Sequence, residues 1–240
     1  MKKTLVIGDI HNKYETVRKI LDNWRGNTIF IGDYFDDFND TGEHIQETAK
    51  WLKESLSHEN RIHLMGNHDF HYMVQPAASL YCSGFSIEKY KIINSILCKE
   101  DWDKLKYFYH EDNYWFSHAG ISRNWFEHPI YGTTAEVIES RLDLAKKALE
   151  NRNFRATGAI YAADFFRGGS YEEGGILWND WRNVNFFTGI TQIVGHTPHN
   201  NIQIKKVDKC VNINVDTHLN EILFIENESF EIINTKEFIK

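Results

Sequence analysis

The chain has 240 residues, with 27 Lys or Arg against 34 Asp or Glu, so its formal charge is −7 with twelve histidines counted as neutral. Hydrophobic residues make up 42% and charged residues 25%, values typical of globular domains that exclude a disordered or low-complexity chain. The acidic balance argues against general binding of duplex nucleic acid, which requires clustered Lys and Arg.

Two features of the sequence favour a cytoplasmic location. No apolar run approaches the roughly 20 residues that cross a bilayer, and the segment MKKTLVIGDIH reaches an acid and a histidine too early for a signal peptide. Cys82, Cys98 and Cys210 are widely spaced and form no CxxC pair, which favours reduced thiols over a disulfide framework. We therefore expect a cytoplasmic protein without membrane contact, and the sequence leaves its oligomeric state open.

Short apolar runs that end abruptly in Gly, Asn, Asp or His occur five times along the chain. They cover residues 4–8, 28–32, 61–66, 114–117 and 192–195. Runs of this length predict buried strands, and the polar residue that follows each one lies in the loop beyond its carboxyl end. Because α/β sheets build their sites at that edge, we expect these polar residues to gather there.

Helical patterns lie between these strands. Apolar residues recur at spacings of three and four in residues 14–24 and 45–56, so the chain begins β-α-β-α-β. Residues 86–97 and 135–150 carry further helical stripes, and short alternating runs in residues 211–239 predict closing antiparallel strands. We predict a single domain over residues 1–240, with helical insertions at about 70–112 and 121–175.

The polar residues after the five runs combine carboxylates, imidazoles and one side-chain amide. In chain order they are Asp9 and His11, Asp33 and Asp36, Asn67 and His68, His118, and His196. This mixed oxygen and nitrogen set suits Mn²⁺, Fe or Zn²⁺, whereas Ca²⁺ prefers oxygen ligands. Glycines precede several of these residues and allow the tight turns that would aim the side chains at a common centre.

The segments GDIH, GDYFDD, GNHD, SHAG and GHTP, in this order, resemble the calcineurin-like metallophosphoesterase superfamily. The resemblance is to its phosphoprotein phosphatase branch, which includes phage and bacterial Ser/Thr phosphatases and dinucleoside tetraphosphatases. It extends from position 8 to about 200, with a weaker match in Asn214-Val215-Asp216-Thr217. It implies a metallophosphoesterase-type α/β sandwich, with two mixed sheets flanked by helices and a dimetal site at the strand carboxyl ends.

Carried over by position, the resemblance implies two divalent metal ions. The implied ligands are Asp9, His11, Asp33, Asn67, His118 and His196. Asp33 bridges the two ions, with Asp9 and His11 on the first ion and the other three ligands on the second. Manganese is the expected metal, and iron, zinc and nickel are the alternatives. A hydroxide shared by the ions is then the expected nucleophile toward phosphorus.

The resemblance assigns His68 to the leaving group rather than to a metal. His68 follows the ligand Asn67 directly, and Asp36 lies three residues beyond Asp33, where the family places the acid that orients this histidine. The resemblance thus implies a catalytic pair in which His68 is the general acid, a role that contributes about 10²–10⁴-fold to rate.

The sequence departs from the family's GDxxDRG pattern at Asp37, which replaces an arginine that binds the substrate phosphate. A carboxylate aimed at a phosphate dianion would repel it. Three outcomes are compatible with this change: Asp37 turns away, another arginine takes over, or the substrate carries less charge at phosphorus. The candidate substrate-binding arginines, in order of preference, are Arg182, Arg167 and Arg123. His199 stands three residues after His196, a spacing that leaves metal binding by His199 open.

We therefore predict a dinuclear-metal phosphoesterase that hydrolyses phosphomonoesters, including phosphoprotein Ser/Thr. The enzyme alternative is a nucleotide phosphohydrolase or phosphodiesterase, acting for example on a dinucleoside polyphosphate, and Asp37 favours this alternative. The non-enzyme alternative is a sensor that binds a phosphorylated ligand without turnover. The presence of both His68 and Asp36 argues against the sensor, because a binding module does not need a proton donor.

Overall fold

The computed structural model describes residues 3–74, 82–130, 132–227 and 229–240. The chain divides into two compact units. The first unit comprises Met1–Lys106, Pro198–Ile202 and Val215–Lys240, and the second comprises Tyr107–Thr197 and Gln203–Asn214. Each unit contains one mixed five-stranded sheet with helices beside it, which confirms the predicted α/β class with two mixed sheets.

The two sheets are built from ten strands among the described residues. These are β1 (Thr4–Ile7), β2 (Asn27–Phe30), β3 (Arg61–His63), β4 (Phe108–Glu111), β5 (Tyr114–Ser117), β6 (Thr191–Val194), β7 (Gln203–Val207), β8 (Cys210–Asn214), β9 (Glu221–Glu226) and β10 (Ser229–Asn234). Each of the five apolar runs of the sequence overlaps one of these strands.

The α-helices of the described residues fall between the strands and at the chain's end. They are α1 (Tyr14–Asp22), α2 (Gly42–Ser55), α3 (Asn67–Met73), α4 (Ile87–Asn94), α5 (Lys99–Trp102), α6 (Arg123–Phe126), α7 (Ala135–Glu150), α8 (Gly158–Tyr161) and α9 (Thr235–Phe238). The predicted helical patterns correspond to α1, α2, α4 and α7. Among the described residues, no helix combines the length and the apolar character that crossing a membrane requires.

The sheet of the first unit has the strand order β10-β9-β1-β2-β3. Strands β1, β2 and β3 are parallel, while β9 runs antiparallel to both β1 and β10. Ile7 pairs with Phe30, and Phe30 pairs with His63, so the three parallel strands end at the same level. The loops that carry the predicted site residues therefore start side by side at one edge of this sheet.

The sheet of the second unit has the order β4-β5-β6-β8-β7. The three middle strands β5, β6 and β8 are parallel, and both edge strands are antiparallel to their neighbours. Phe116 pairs with Ile193, which in turn pairs with Ile213, so these strands are also in step. His118 and His196 lie just beyond the carboxyl ends of β5 and β6.

The three short runs of the tail form β8, β9 and β10, and each of these strands has an antiparallel partner, as predicted. In the first sheet β9 pairs with both β10 and β1, whereas β8 joins the second sheet, where it is antiparallel to β7 and parallel to β6. Two polar residues of β8 are buried with hydrogen-bond partners: the Asn212 side chain accepts from the Gln192 backbone amide (3.0 Å), and the Asn214 side chain donates to the Thr197 carbonyl (2.7 Å).

Candidate active site

Three predicted metal ligands lie together at the sheet edge of the first unit. Asp9, His11 and Asp33 each offer a ligand atom, and these atoms lie within 4.8 Å of one another. His11 Nδ1 donates to the Phe35 carbonyl (3.0 Å), which fixes the ring tautomer, and His11 Nε2 lies 3.9 Å from Asp33 Oδ2. A neutral imidazole held in this way by its other nitrogen is a common arrangement for metal-binding histidines.

The backbone of these loops is locally strained. The amides of Ile10 and His11 both donate to the Asp33 carbonyl at 2.9 Å, which brackets the two loops together. His11 and Asp33 have φ angles of 44° and 51°, and Asp36 has 66°. Left-handed backbone costs a residue other than glycine of order 1–3 kcal/mol and is found most often at functional sites.

Asp69 and Gly66 hold the loop of Asn67 against the loop of Asp33. The buried Asp69 carboxylate accepts from the backbone amides of Tyr34 (2.8 Å) and Gly66 (2.9 Å). A Cβ atom on Gly66 would lie 2.1 Å from Asp33 Oδ1, so only glycine fits this approach. The His68 amide then donates to Asp33 Oδ1 at 2.9 Å.

Asp36 lies at the centre of a buried polar cluster. Its Oδ2 is 3.0 Å from His68 Nδ1 and 3.0 Å from His71 Nε2. Its Oδ1 accepts from the Tyr72 hydroxyl (2.6 Å) and from Lys89 Nζ (3.0 Å). Burial by itself would raise the pKa of Asp36, but the hydrogen bonds with His68 and His71 outweigh it, so the pKa falls well below its usual value. Asp36 is therefore ionised at neutral pH.

His68 is the partner of this carboxylate. Burial lowers the pKa of His68, but the negative charge of Asp33 and the hydrogen bond to Asp36 raise it more, so the net pKa is well above the usual value. His68 Nδ1 faces Asp36. A protonated His68 would therefore present Nε2 as its proton donor.

The second unit brings together two more of the predicted ligands, both of them histidines. His118 and His196 are both buried, and His118 Nε2 lies 3.2 Å from His196 Nδ1. The Gly195 amide donates to the His118 carbonyl (2.7 Å), which ties the two loops to each other. His196 has a φ of 66°, so it shares the left-handed backbone of the residues in the first unit.

Sequence comparison identifies the family to which this arrangement belongs. A sequence profile of calcineurin-like phosphoesterases matches residues 2–208. The chain belongs to the calcineurin-like phosphoesterase family. It is therefore a hydrolase that acts on phosphoester bonds, in agreement with the prediction from the motifs. The family depends on two metal ions, and the described residues of this phosphoesterase include candidate metal-ligand groups.

Solved structures with the same fold include three phosphatases. A mutant cold-active protein tyrosine phosphatase has a TM-score of 0.64 and 16% identity, covering 98% of this chain and 78% of that chain. The cold-active protein tyrosine phosphatase of a psychrophilic Shewanella species gives 0.60 and 15%, with the same coverage of 98% and 78%. A protein serine/threonine phosphatase from Saccharomyces cerevisiae gives 0.53 and 13%, covering 96% and 78%. No curated protein matches the chain significantly in sequence.

The predicted substrate arginines of this phosphoesterase all lie in the second unit. Arg182 binds the buried Asp180 carboxylate through Nε (2.8 Å) and a terminal nitrogen (2.9 Å), and its side chain is 58% exposed. Arg167 Nε lies 2.9 Å from the same carboxylate, and another nitrogen of Arg167 donates to Thr197 Oγ1 (2.6 Å). Arg123 packs over the Phe187 ring instead (5.7 Å).

Asp37, which stands where the family has an arginine, is hydrogen-bonded to its neighbours in the chain. The Asp37 carboxylate accepts a hydrogen bond from the Phe38 backbone amide (2.7 Å). The Asp37 amide itself donates to Asp40 Oδ2 (3.2 Å), so this acid is held within its own turn.

Several residues of the first-unit site received no role from the sequence. His71 lies on α3 three residues after His68, and this helical spacing was the available signal that both face Asp36. Tyr72, Lys89 and Cys82 carried no such signal. Burial raises the pKa of the Cys82 thiol, but its hydrogen bonds to the two histidines outweigh that effect and lower it.

Asp216 is a further carboxyl group of the first unit that the site prediction omitted. Burial and the charge of Asp33 raise its pKa, against the lowering effect of His11 and His218. A Cβ atom on Gly8 would lie 2.3 Å from the Val215 carbonyl oxygen, so the loop of Asp9 and the loop of Asp216 pack directly together. The sequence signal for Asp216 was the match of residues 214–217 to the family pattern. The His199 amide donates to the Asp216 carbonyl (3.0 Å).

Proposed function

We propose that this enzyme hydrolyses phosphomonoesters, including phosphoserine and phosphothreonine in proteins. We propose that it does so with two divalent metal ions, and that both ions are manganese. The residues that would hold the ions are Asp9, His11, Asp33, Asn67, His118 and His196. Their carboxylate, imidazole and amide donors fit Mn²⁺. Two such ions would neutralise phosphoryl oxygens and lower the pKa of water from about 15.7 to about 7.

One observation supports the proposal: His68, the side chain that we propose as the proton donor, directly follows the proposed ligand Asn67 and contacts the proposed ligand Asp33. His68 bonds through its amide to the carboxylate of Asp33 (2.9 Å) and through its ring to Asp36 (3.0 Å). A phosphoester hydrolase needs such a donor beside its metal ligands because the alkoxide leaving group of a phosphomonoester is a strong base.

The proton transfer we propose runs through His68 Nε2. Water adds its oxygen to phosphorus as the bond to the leaving oxygen breaks, and His68 Nε2 gives its proton to that leaving oxygen. Asp36 stays ionised throughout, because its pKa lies well below its usual value, and it stabilises the positive charge of the imidazolium. The products are an alcohol and inorganic phosphate, and solvent returns a proton to His68.

We propose that Arg182 and Arg167 together replace the arginine that is missing at Asp37. Both contact the Asp180 carboxylate, whose pKa burial raises but the two arginines lower more strongly. Each guanidinium is oriented by this shared partner, and a planar fork held in place binds a phosphate better than a flexible one. Arg123, which packs on Phe187, is left without a role in this proposal.

The test compares three substrate classes on the manganese-loaded enzyme. We expect kcat/KM for a phosphomonoester to exceed the values for a phosphodiester and for a dinucleoside polyphosphate. A preference of more than about tenfold, or about 1.4 kcal/mol, for either of the other two would replace this proposal with its alternative. That alternative, hydrolysis of a nucleotide or diester, is favoured by the acid at position 37, since a diester carries less charge at phosphorus.

A further inference from the structure

A second group of potential metal ligands surrounds Asp36 in the first unit. Asp36, His68, His71 and Cys82 each offer one ligand atom, and these atoms lie within 4.8 Å of one another. Cys82 Sγ is 3.0 Å from His71 Nδ1 and 3.6 Å from His68 Nδ1. His68 Nδ1 is in turn 3.0 Å from Asp36 Oδ2, and the other nitrogen of His71, Nε2, closes the ring at 3.0 Å from the same oxygen.

The donors of this group differ in kind from those of the predicted dimetal ligands. Sulfur, imidazole and carboxylate are all ligand types that Zn²⁺ binds in tetrahedral sites, whereas the predicted manganese ligands include no sulfur. Zinc bonds of about 2.0–2.3 Å at tetrahedral angles place neighbouring ligand atoms about 3.3–3.7 Å apart. The separations from Cys82 Sγ to the two histidines and from His68 to Asp36 are 3.0–3.6 Å, within about half an ångström of these values, and all four ligand atoms lie within 4.8 Å of one another.

The surroundings of Asp36 already orient it for such a role. Its Oδ1 is engaged by Tyr72 and Lys89, which leaves Oδ2 as the oxygen that faces the two histidines. The positive charge of Lys89 is shared with Asp40 (2.8 Å). His71 is completely buried, so its ring has little freedom to lose when an ion binds. Hydrogen bonds that hold a ligand in place raise metal affinity.

We propose that Cys82, His71, His68 and Asp36 form a third metal site, which binds Zn²⁺ and inhibits the enzyme. The ion would bond to the Cys82 sulfur, to a nitrogen of each histidine and to an oxygen of Asp36, and the displaced thiol and imidazolium protons would pass to solvent. His68 bound in this way is no longer an imidazolium paired with Asp36, so it cannot protonate the leaving group. The inhibition rests on the proposed role of His68, whereas the binding does not.

Binding is tested with Co²⁺ as a spectroscopic substitute for zinc. Co²⁺ is titrated into the enzyme that already holds two equivalents of manganese, and the sulfur-to-cobalt charge-transfer absorption is recorded. We expect a band that saturates near one equivalent, disappears on addition of Zn²⁺, is lost in Cys82→Ser and persists in Cys98→Ser and Cys210→Ser. A band that survives in Cys82→Ser, or no band in the unsubstituted enzyme, would overturn the site.

A second measurement requires no variant, so it stands even if Cys82→Ser is unstable. X-ray absorption at the zinc edge of the manganese-loaded enzyme with one equivalent of Zn²⁺ should show one sulfur neighbour at about 2.3 Å. A spectrum with only nitrogen and oxygen neighbours would rule the site out.

The inhibition is tested by adding Zn²⁺ to the manganese-loaded enzyme with an alkyl phosphate and with an activated aryl phosphate as substrates. We expect a rate loss of more than tenfold on the alkyl phosphate, a smaller loss on the aryl phosphate, and at least tenfold weaker inhibition in Cys82→Ser. Equal inhibition of both proteins would place the effect at the manganese ligands and refute the inhibitory role. If no phosphoester is hydrolysed at all, the proposed function fails while the cobalt band still decides whether the site exists.

Discussion

His68 Nδ1 lies 3.0 Å from Asp36 Oδ2. This contact turns Nδ1 toward the carboxylate and leaves Nε2 as the nitrogen that we propose donates the proton, and the low pKa of Asp36 keeps the carboxylate charged beside it. The contribution of a general acid to the rate increases with the basicity of the leaving group. The His68–Asp36 pair therefore makes a prediction that separates proton donation from simple structural support.

Substitution of His68→Asn should lower kcat on an alkyl phosphate by about 10²–10⁴-fold and kcat on an activated aryl phosphate by less than about tenfold. The reason is that an aryl oxide departs without protonation. Steady-state kinetics with both substrates make the measurement, and His58→Asn, at an exposed histidine, is the control. Equal losses on the two substrates would remove the general-acid role.

Gly66→Ala should abolish tight metal binding. The added Cβ would lie 2.1 Å from Asp33 Oδ1 and 2.3 Å from the Asp33 amide nitrogen, so the loops of Asp33 and Asn67 must separate. Metal analysis of the purified variant after dialysis reports the effect directly. Gly42→Ala is the matched control, because its Cβ would have only one neighbour, at 3.6 Å, and should leave metal content unchanged. A fully loaded Gly66→Ala protein would contradict the assigned ligand geometry.

Arg182→Ala and Arg167→Ala should each lower kcat/KM for a phosphomonoester by about ten- to a hundredfold, with most of the change in KM. Both side chains are positioned by Asp180, so each should contribute to phosphate binding. Arg155→Ala, which removes an exposed arginine, serves as the control. Unchanged kinetics in both variants would mean that another group binds the phosphate or that the substrate carries less charge.

The stability of the enzyme should fall between pH 6.5 and pH 5 because of His63. This ring is buried between Tyr34 (2.9 Å) and Ser55 (3.0 Å), and burial, assisted by the charge of Arg61, lowers its pKa from 6.5 to about 3. The unfolded chain takes up a proton below about pH 6.5, whereas the folded protein does so only near pH 3. Stability is therefore present above pH 6.5 and decreases as the pH falls, by about 2 kcal/mol at pH 5.

The measurement is the free energy of unfolding in urea as a function of pH. His63→Gln should lose this part of the pH dependence, while His44→Gln, at an exposed histidine, should keep it. An identical pH slope in His63→Gln and the unsubstituted protein would contradict this prediction, because it would mean that His63 takes up its proton at the same pH in the folded and the unfolded chain.

The local part of the site could be predicted from the sequence. Each strand ends in a short polar segment, and in the first unit the register of Ile7, Phe30 and His63 sets the loops of Asp9, Asp33 and Asn67 side by side. An apolar run followed by a glycine and a potential ligand is a pattern within a few residues. It can therefore be recognised in the sequence without knowledge of the fold.

The rest depends on contacts between distant parts of the chain. Lys89 reaches Asp36 from a helix 53 residues further along the sequence, and Cys82 meets His68 from 14 residues away. Strand β8 has the predicted antiparallel partner, β7, but its place beside the parallel strand β6 depends on buried contacts such as the hydrogen bond from the Gln192 amide to Asn212. Local periodicity carries no information about which hydrogen-bond partner makes burial of such a residue tolerable.

Titration of the metal-free protein with manganese tests the central claim most directly. The chelator-treated enzyme is given increasing equivalents of Mn²⁺, and phosphate release from a phosphomonoester is measured at each step. If two ions act together, we expect no phosphate release without metal and a rate that reaches a plateau near two equivalents of Mn²⁺. Phosphate release by the metal-free protein, or a plateau at one equivalent, would contradict the two-metal account.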